Sequence, residues 1–370
     1  MSLETTPLRR GARLRIDLGA VVGNWRSLKA RLAGGDCAAV LKADAYGLGA
    51  ARVGEALAVA GCRQFFVAHL DEAIALRPHL PPPATLRVLH GPMPGTEPEF
   101  VAHGVEPVLN SLGQFQAWRA LAHRLDRELP AFVQVDTGMA RLGLPPDELR
   151  RLADDPGAFD GVPLKGVMSH LACADEPGHP ANAAQRAAFV AARRRLPPAP
   201  ASLANSSGIF LGPDWHFDLA RPGAALYGVA PVPGQANPMR PVVRLQAQVI
   251  QVRGVDAGAP VGYAQGWVAP AATRIATVSV GYADGYLRCL GGRGASAWLG
   301  GQALPVVGRV SMDTLTVDVG ALPEGAVQAG TLLDLMPPDG GVDALAARAG
   351  TIGYEILTSL GARYERVYLG

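Results

Sequence analysis

Eight short apolar runs separated by helix-length stretches occupy residues 37–220, and this alternation is what most restricts the folds open to the 370-residue chain. The runs lie at residues 37–41, 65–68, 86–89, 106–109, 131–135, 164–168, 202–204 and 217–220. Helical patterns at 50–60, 71–75, 113–123, 146–152 and 183–195 stand between them. With their flanking loops these are long enough for crossovers between parallel strands rather than hairpins. Eight strand–helix units in succession predict a (β/α)8 barrel. A doubly wound open sheet shares the same local alternation, so the count alone does not exclude it. The polar residues favour the barrel: His69, His90, Asn110, Asp136, His170, Asn205 and Arg221 each fall at or just past the C-terminal end of a run, the face on which barrel enzymes carry their sites.

A helical pattern over residues 18–32 precedes the first run. The character changes at Pro231-Val232-Pro233-Gly234, a linker-like cluster, after which residues 242–252, 274–280, 304–307 and 315–319 are rich in β-branched side chains. A helical tail over 342–360 and a strand at 366–369 end the chain. The expected organisation is a barrel domain over residues 1–233 and a mainly-β domain over 234–370.

Composition narrows the function. The 34 Lys and Arg against 32 Asp and Glu leave a net charge of +2 with no basic tract, which argues against nucleic acid as a ligand. No run reaches the roughly 18 apolar residues of a membrane span, and Arg13, Arg15 and Asp17 interrupt the place of a signal segment. Cys37, Cys62, Cys173 and Cys289 are scattered, without a C-x-x-C pair. The expectation is a soluble cytoplasmic protein with no membrane partner. All eight histidines precede the linker and no H-E-x-x-H pair occurs, so no metal is expected.

The segment 39–49, Ala-Val-Leu-Lys-Ala-Asp-Ala-Tyr-Gly-Leu-Gly, is the most informative. Lys42 ends a run expected to be a buried barrel strand, where desolvation lowers a lysine pKa and permits a Schiff-base nucleophile. Position alone leaves open the commoner alternative, a lysine snorkelling to the surface. Gly47-Leu48-Gly49 is not a dinucleotide fingerprint, because the third glycine is misplaced.

These residues resemble the alanine racemases, a family that uses pyridoxal phosphate on a barrel followed by a β-domain. The resemblance spans nearly the whole chain: Ile16-Asp17-Leu18 with Asn24, Lys42-Ala-Asp-Ala-Tyr46-Gly, Asp136-Thr-Gly-Met-Ala-Arg141-Leu-Gly, and Tyr354-Glu355. It implies interconversion of L- and D-alanine by two-base α-proton transfer on a cofactor aldimine. Lys42 then resembles the lysine that carries the cofactor and serves as one base. Tyr46 resembles the tyrosine that hydrogen-bonds the cofactor phosphate, together with Asn205-Ser206 and the backbone at Gly223 and Ala224. His170 resembles the imidazole lying against the pyridine ring, and Arg221 the arginine facing the ring nitrogen, where a cation weakens the ring as an electron sink. Arg141 is implied to contact the cofactor phenolic oxygen and the substrate carboxylate, a task suited to a planar, permanently charged fork.

The second base is implied to be Tyr282, in Gly281-Tyr-Ala-Asp-Gly285, with its proton affinity lowered through His170 and Arg221. Met312 resembles the residue whose backbone N–H meets the substrate carboxylate, with Asp313 beside it. Tyr354, Arg309 and Asp175 resemble a polar entrance. The family's arrangement implies a head-to-tail homodimer with shared active sites. It also suggests a place in D-alanine biosynthesis and peptidoglycan precursor supply.

One departure stands out. Many members carry a carbamylated lysine two positions before the Asp-Thr-Gly-Met segment, and this chain has Gln134, whose neutral carbonyl oxygen has similar reach. Ser311 and Cys173 also differ from common members, which leaves a preference for serine or another small amino acid open. A fold-related decarboxylase is disfavoured by the lack of its second-domain Cys-Glu motif. A non-catalytic pyridoxal phosphate carrier is disfavoured by the second domain itself.

Overall fold

The computed structural model describes residues 8–32 and 34–370. The chain forms two compact units, one of Val21–Arg240 and one combining the described residues through Ala20 with Pro241–Gly370.

In the first unit seven parallel strands follow one another in sequence order: Ala39–Val40, Gln64–Val67, Thr85–Val88, Glu106–Leu109, Ala131–Gln134, Leu164–Met168 and Ala201–Ser202. The eighth, Leu219–Ala220, pairs with Asp36–Cys37. That short strand is divided from Ala39–Val40 only by Ala38, whose N–H donates to Ala220 O at 2.9 Å. On the other edge, Asp218 N–H reaches Ala201 O at 3.0 Å and Arg221 N–H reaches Ala204 O at 2.8 Å. The eight runs of the sequence therefore close into a barrel.

The connecting helices follow local rules. Helix Leu112–Leu125 starts where the Ser111 hydroxyl accepts the Gln114 N–H, buries Leu112, Phe115, Trp118 and Leu121 on one face, and stops at Asp126 in a left-handed conformation. A short helix that the sequence reading passed over, Glu97–Ala102, lies in a proline-rich stretch. Between the seventh and eighth strands only 3-10 turns occur, Gly208–Leu211 and Pro213–Trp215.

Ala38, Val40, Phe66, Val108, Phe132, Met168 and Leu219 form one cluster in the barrel interior. Arg87 joins them, its guanidinium 4.2 Å from the Phe132 ring centroid and 2.7 Å from the Glu106 carboxylate. Side chains on a strand alternate between faces. Lys42, Asn110, Gln134, His170 and Arg221 each stand two residues beyond a member of that cluster, so they crown its inner face at the C-terminal rim.

In the second unit eight strands run in the order Thr273–Val278, Leu315–Asp318, Gln302–Val307, Ser296–Leu299, Leu332–Asp334, Val243–Val255, Ala12–Asp17 and Glu365–Leu369. The 13-residue strand Val243–Val255 also pairs with Thr273–Val278, which curls the sheet onto itself. Its N-terminal strand comes from the start of the chain, Leu14 lying opposite Leu245 and Arg366. A linear division at 233/234 assigns Ala12–Asp17 to the barrel, whereas its hydrogen bonds belong to this sheet. The single helical tail expected over 342–360 is two helices, Gly341–Ala349 and Gly353–Ser359, parted at Gly350 with φ +77°. No described helix is long and apolar enough to cross a membrane.

Candidate active site

Lys42 leaves the first barrel strand half-buried, and its pKa is drawn below the usual lysine value by desolvation first and by the Arg141 cation second, with Glu72 opposing. The chain then does something unusual for residues without glycine: Ala43, Asp44, Ala45 and Tyr46 all take left-handed angles, φ +53° to +56°. Such a turn costs about 1–2 kcal/mol per residue. It is held from outside, because Glu72 accepts the Ala43 N–H at 2.5 Å through one oxygen and those of Ala68 and His69 at 2.8 and 3.1 Å through the other. Asp44 secures the far end by accepting the Ala50 N–H at 2.7 Å.

The turn delivers Tyr46 into the unit, buried against the Tyr227 ring at 4.8 Å between centroids. Its hydroxyl lies 2.3 Å from where a Cβ on residue 223 would stand, so only glycine fits there. The buried Ser206 hydroxyl accepts the N–H groups of Gly223 at 3.0 Å and Ala225 at 3.2 Å. The Tyr46 phenol and the Ser206 hydroxyl thus meet at the Gly223 backbone, two donors of the kind a phosphate cradle uses. Ala224 opens the 3-10 turn Ala224–Tyr227 beside them, and the Asn205 side chain accepts the Gly208 N–H at 2.8 Å.

Arg221 is buried, its Nη1 on the Ser202 hydroxyl, its Nη2 on Ser169 O at 2.7 Å and 3.5 Å from His170 Nδ1. Burial draws its pKa to about 9, which leaves it cationic at neutral pH, and no carboxylate appears among the influences on it. His170 is pushed down to about 3 by desolvation first and then by Arg221, Arg141 and Lys42. Its imidazole is therefore neutral.

Arg141 is exposed at the end of a loop folded around Asp136, whose Oδ1 accepts the N–H groups of Gly138, Met139 and Ala140 at 2.9–3.1 Å. Gln134 is buried beneath, and its amide donates to Leu142 O at 3.1 Å. The side chain thereby grips the backbone next to Arg141. Asp175 is exposed on the loop after the sixth strand.

In the β unit, Tyr282 opens the 3-10 turn Tyr282–Asp284 and is 41% exposed, while Met312 is 54% exposed. Their loops interlock: Tyr282 N–H donates to Ser311 O and Ala283 N–H to Met312 O, both at 3.0 Å. Tyr354 sits on helix Gly353–Ser359, and Arg309 is exposed beside Gly266.

Both units match known family models. Residues 16–231 match the alanine racemase N-terminal domain and residues 242–368 the alanine racemase C-terminal domain. This chain belongs to the alanine racemase family. It is 56% identical to a catabolic alanine racemase of Mesorhizobium japonicum over 97% of this chain and 94% of that one. It is 54% identical to an alanine racemase of Rhodospirillum rubrum over 98% and 97%. Among solved structures, the Bartonella henselae alanine racemase with covalently bound pyridoxal phosphate superposes with a TM-score of 0.93 at 42% identity, covering 97% of this chain and 99% of that one.

Within this alanine racemase fold, three residues that sequence reasoning missed support the expected ones. Glu72 braces the left-handed turn; its only sequence signal was an acidic pair opening a helix directly after a strand. Gln185, buried on helix Pro180–Arg193, donates to His170 O at 2.9 Å and accepts the Ala172 N–H at 2.8 Å, clamping the backbone around His170. Arg363 ties Asp284 to Asp313.

The His170 environment has a consequence for stability. Between about 3 and the usual 6.5, the unfolded chain binds a proton at this position and the folded chain does not. Stability therefore rises with pH across that window and is lost as pH falls below 6.5, by about 1.4 kcal/mol per unit at most. The expected result is an imidazole resonance for His170 that does not titrate between pH 7 and pH 5 by NMR; a midpoint near 6.5 contradicts the burial argument.

Proposed function

We propose that this chain interconverts L- and D-alanine by moving the α-proton between two bases, with pyridoxal phosphate seated on the barrel rim. The observation that carries the reading is the crown of Lys42, His170 and Arg221 on one inner face, beside a cradle so tight that a Cβ at residue 223 meets the Tyr46 hydroxyl. That cradle fits the cofactor: the Tyr46 and Ser206 hydroxyls are donors of the kind a phosphate takes, the backbone at Gly223 and Ala224 would border it, and Lys42 carries the amine that would hold it covalently. When bound, pyridoxal phosphate supplies an electron-poor ring that acidifies the substrate α C–H.

The chain's own groups then divide the work. Lys42, kept poor in protons by desolvation, takes or returns the α-proton on one face. Arg221 is a buried cation that would face the ring nitrogen and disfavour a proton there, which suits an enzyme that only moves a proton. Neutral His170 would lie against the ring without adding charge, and Arg141 offers its fork to the substrate carboxylate. Tyr282 serves the opposite face, and the Met312 N–H, with Asp313 beside it, meets the substrate carboxylate. The exposure of Tyr282 and Met312 supports delivery from the second subunit of a head-to-tail homodimer. Tyr354, Arg309 and Asp175 border the way in. The working compartment is the cytoplasm.

Gln134 offers no amine to form a carbamate, so racemisation is expected to be unchanged by added bicarbonate, measured in bicarbonate-free buffer against 20 mM or so of the salt; stimulation sinks that point. The reading as a whole is tested by incubating the holoenzyme with L-alanine in deuterated water and following both α-deuterium and the enantiomer ratio. Convergence on equal enantiomers with deuterium incorporated supports it, and no exchange defeats it. Tyr282→Phe is expected to keep exchange from one enantiomer while slowing interconversion by about 10²–10⁴-fold, the range of a lost acid–base group. A Tyr282→Phe protein that racemises at the wild-type rate removes Tyr282 from the mechanism. L-Serine run in parallel measures breadth.

A further inference from the structure

We infer that Arg363 is the positioning residue that fixes Tyr282 and the Met312 backbone relative to each other; the inference rests on the reading of Tyr282 as one of two bases. The guanidinium spends three N–H groups on two loops. Its Nε and Nη2 form a bidentate pair with Asp284, at 2.6 and 2.8 Å, and its Nη1 meets Asp313 at 2.7 Å. Asp284 is buried two residues after Tyr282 and also accepts the Gly281 N–H at 3.0 Å, so the fork reaches the residue on each side of the tyrosine through one carboxylate. Asp313 follows Met312 directly.

The surroundings leave little room for the two loops to adjust by other means. A Cβ on Gly281 would stand 2.3 Å from Met312 O, and one on Gly285 would stand 1.9 Å from Ser359 O. The turn is wedged between the 311–313 loop and the end of helix Gly353–Ser359, and Gly361 N–H donates back to Asp284 O at 3.0 Å. Both carboxylates hold the guanidinium pKa above its usual value, so Arg363 stays charged wherever the protein is folded. A planar fork matches a carboxylate with two parallel bonds and still reaches a third partner, which a lysine ammonium does not reproduce. Arg363 lies 50 residues from Asp313 and 79 from Asp284 in sequence, and its side chain is half-exposed, as suits a strap laid across two loops from outside.

The test compares wild type, Arg363→Lys and Arg363→Met as holoenzymes, and reads two quantities. The first is amide hydrogen exchange over residues 281–285 and 311–313, measured with and without cofactor. The second is the ratio of interconversion to α-proton exchange in deuterated water. Arg363→Met is expected to speed amide exchange in both loops at least about tenfold and to slow interconversion about 10²-fold, the cost of misplacing a reacting group by roughly 1 Å. Exchange on the Lys42 face should stay within about threefold of wild type, since Lys42 lies in the other unit. Arg363→Lys is expected to fall between and carries the comparison alone if Arg363→Met does not fold. Equal losses of exchange and interconversion overturn the inference, as does wild-type protection of both loops in either variant. If wild type itself does not act on alanine, the proposed function fails first, and the amide exchange still decides whether Arg363 couples the loops.

Discussion

Lys42→Ala is expected to remove racemisation to below about 10⁻⁴ of wild type, because the proposed mechanism asks one side chain to be both the covalent anchor and a base. The structure explains why lysine chemistry is available at this place. Its ammonium is desolvated at the end of a barrel strand and repelled by Arg141, and both draw its pKa below the usual lysine value. Glu72 pulls the other way, yet its two oxygens are committed to backbone N–H groups on both sides of the strand end, and it acts chiefly as a brace. The measurement is the rate with each enantiomer, together with borohydride reduction and mass spectrometry for covalent cofactor. A variant that keeps covalent cofactor would show that another amine carries it. One that lost the adduct but kept a tenth of the rate would remove Lys42 as a base. A small amine added to Lys42→Ala should restore part of the exchange on that face, because the cradle and Arg221 are untouched.

How much of this was readable beforehand depends on the range of the interaction. Strand ends are local features, and the period of two carries Lys42, Gln134, His170 and Arg221 onto the rim once Val40, Phe132, Met168 and Leu219 are recognised as core. Pairings across the chain leave no local mark. The strand Ala12–Asp17 closes a sheet with Glu365–Leu369, and nothing near residue 12 announces it. Arg363 reads as an ordinary C-terminal arginine until Asp284 and Asp313 are brought to it. The left-handed turn at Ala43–Tyr46 was hidden for a different reason: its residues disfavour that conformation, and only Glu72 and Asp44, with the packing of Tyr46, outweigh the preference. At Gln134 the sequence specifies an amide's reach but not that its nitrogen end grips Leu142 O.

Gly223→Ala is expected to weaken pyridoxal phosphate binding by about 10–100-fold, or about 1.4–2.8 kcal/mol. The glycine is not there for a left-handed backbone, since its φ is −126°. It is there because the added methyl would stand 2.3 Å from the Tyr46 hydroxyl and 3.0 Å from the ring carbon that bears it. A tyrosine at the end of a flexible segment would step aside at little cost. Tyr46 cannot, being buried, stacked on Tyr227 and rooted in a turn whose four left-handed residues are braced at both ends. The strain therefore passes to the Gly223 backbone and to Ser206, whose hydroxyl the proposed phosphate site uses. Titrating cofactor-free protein with pyridoxal phosphate by fluorescence measures the loss. Tyr46→Phe removes the clashing oxygen together with one phosphate donor, so it should weaken binding alone but cost little more when added to Gly223→Ala. Strict additivity of the two changes would show that the methyl and the hydroxyl never meet, and wild-type affinity in Gly223→Ala would place the phosphate elsewhere.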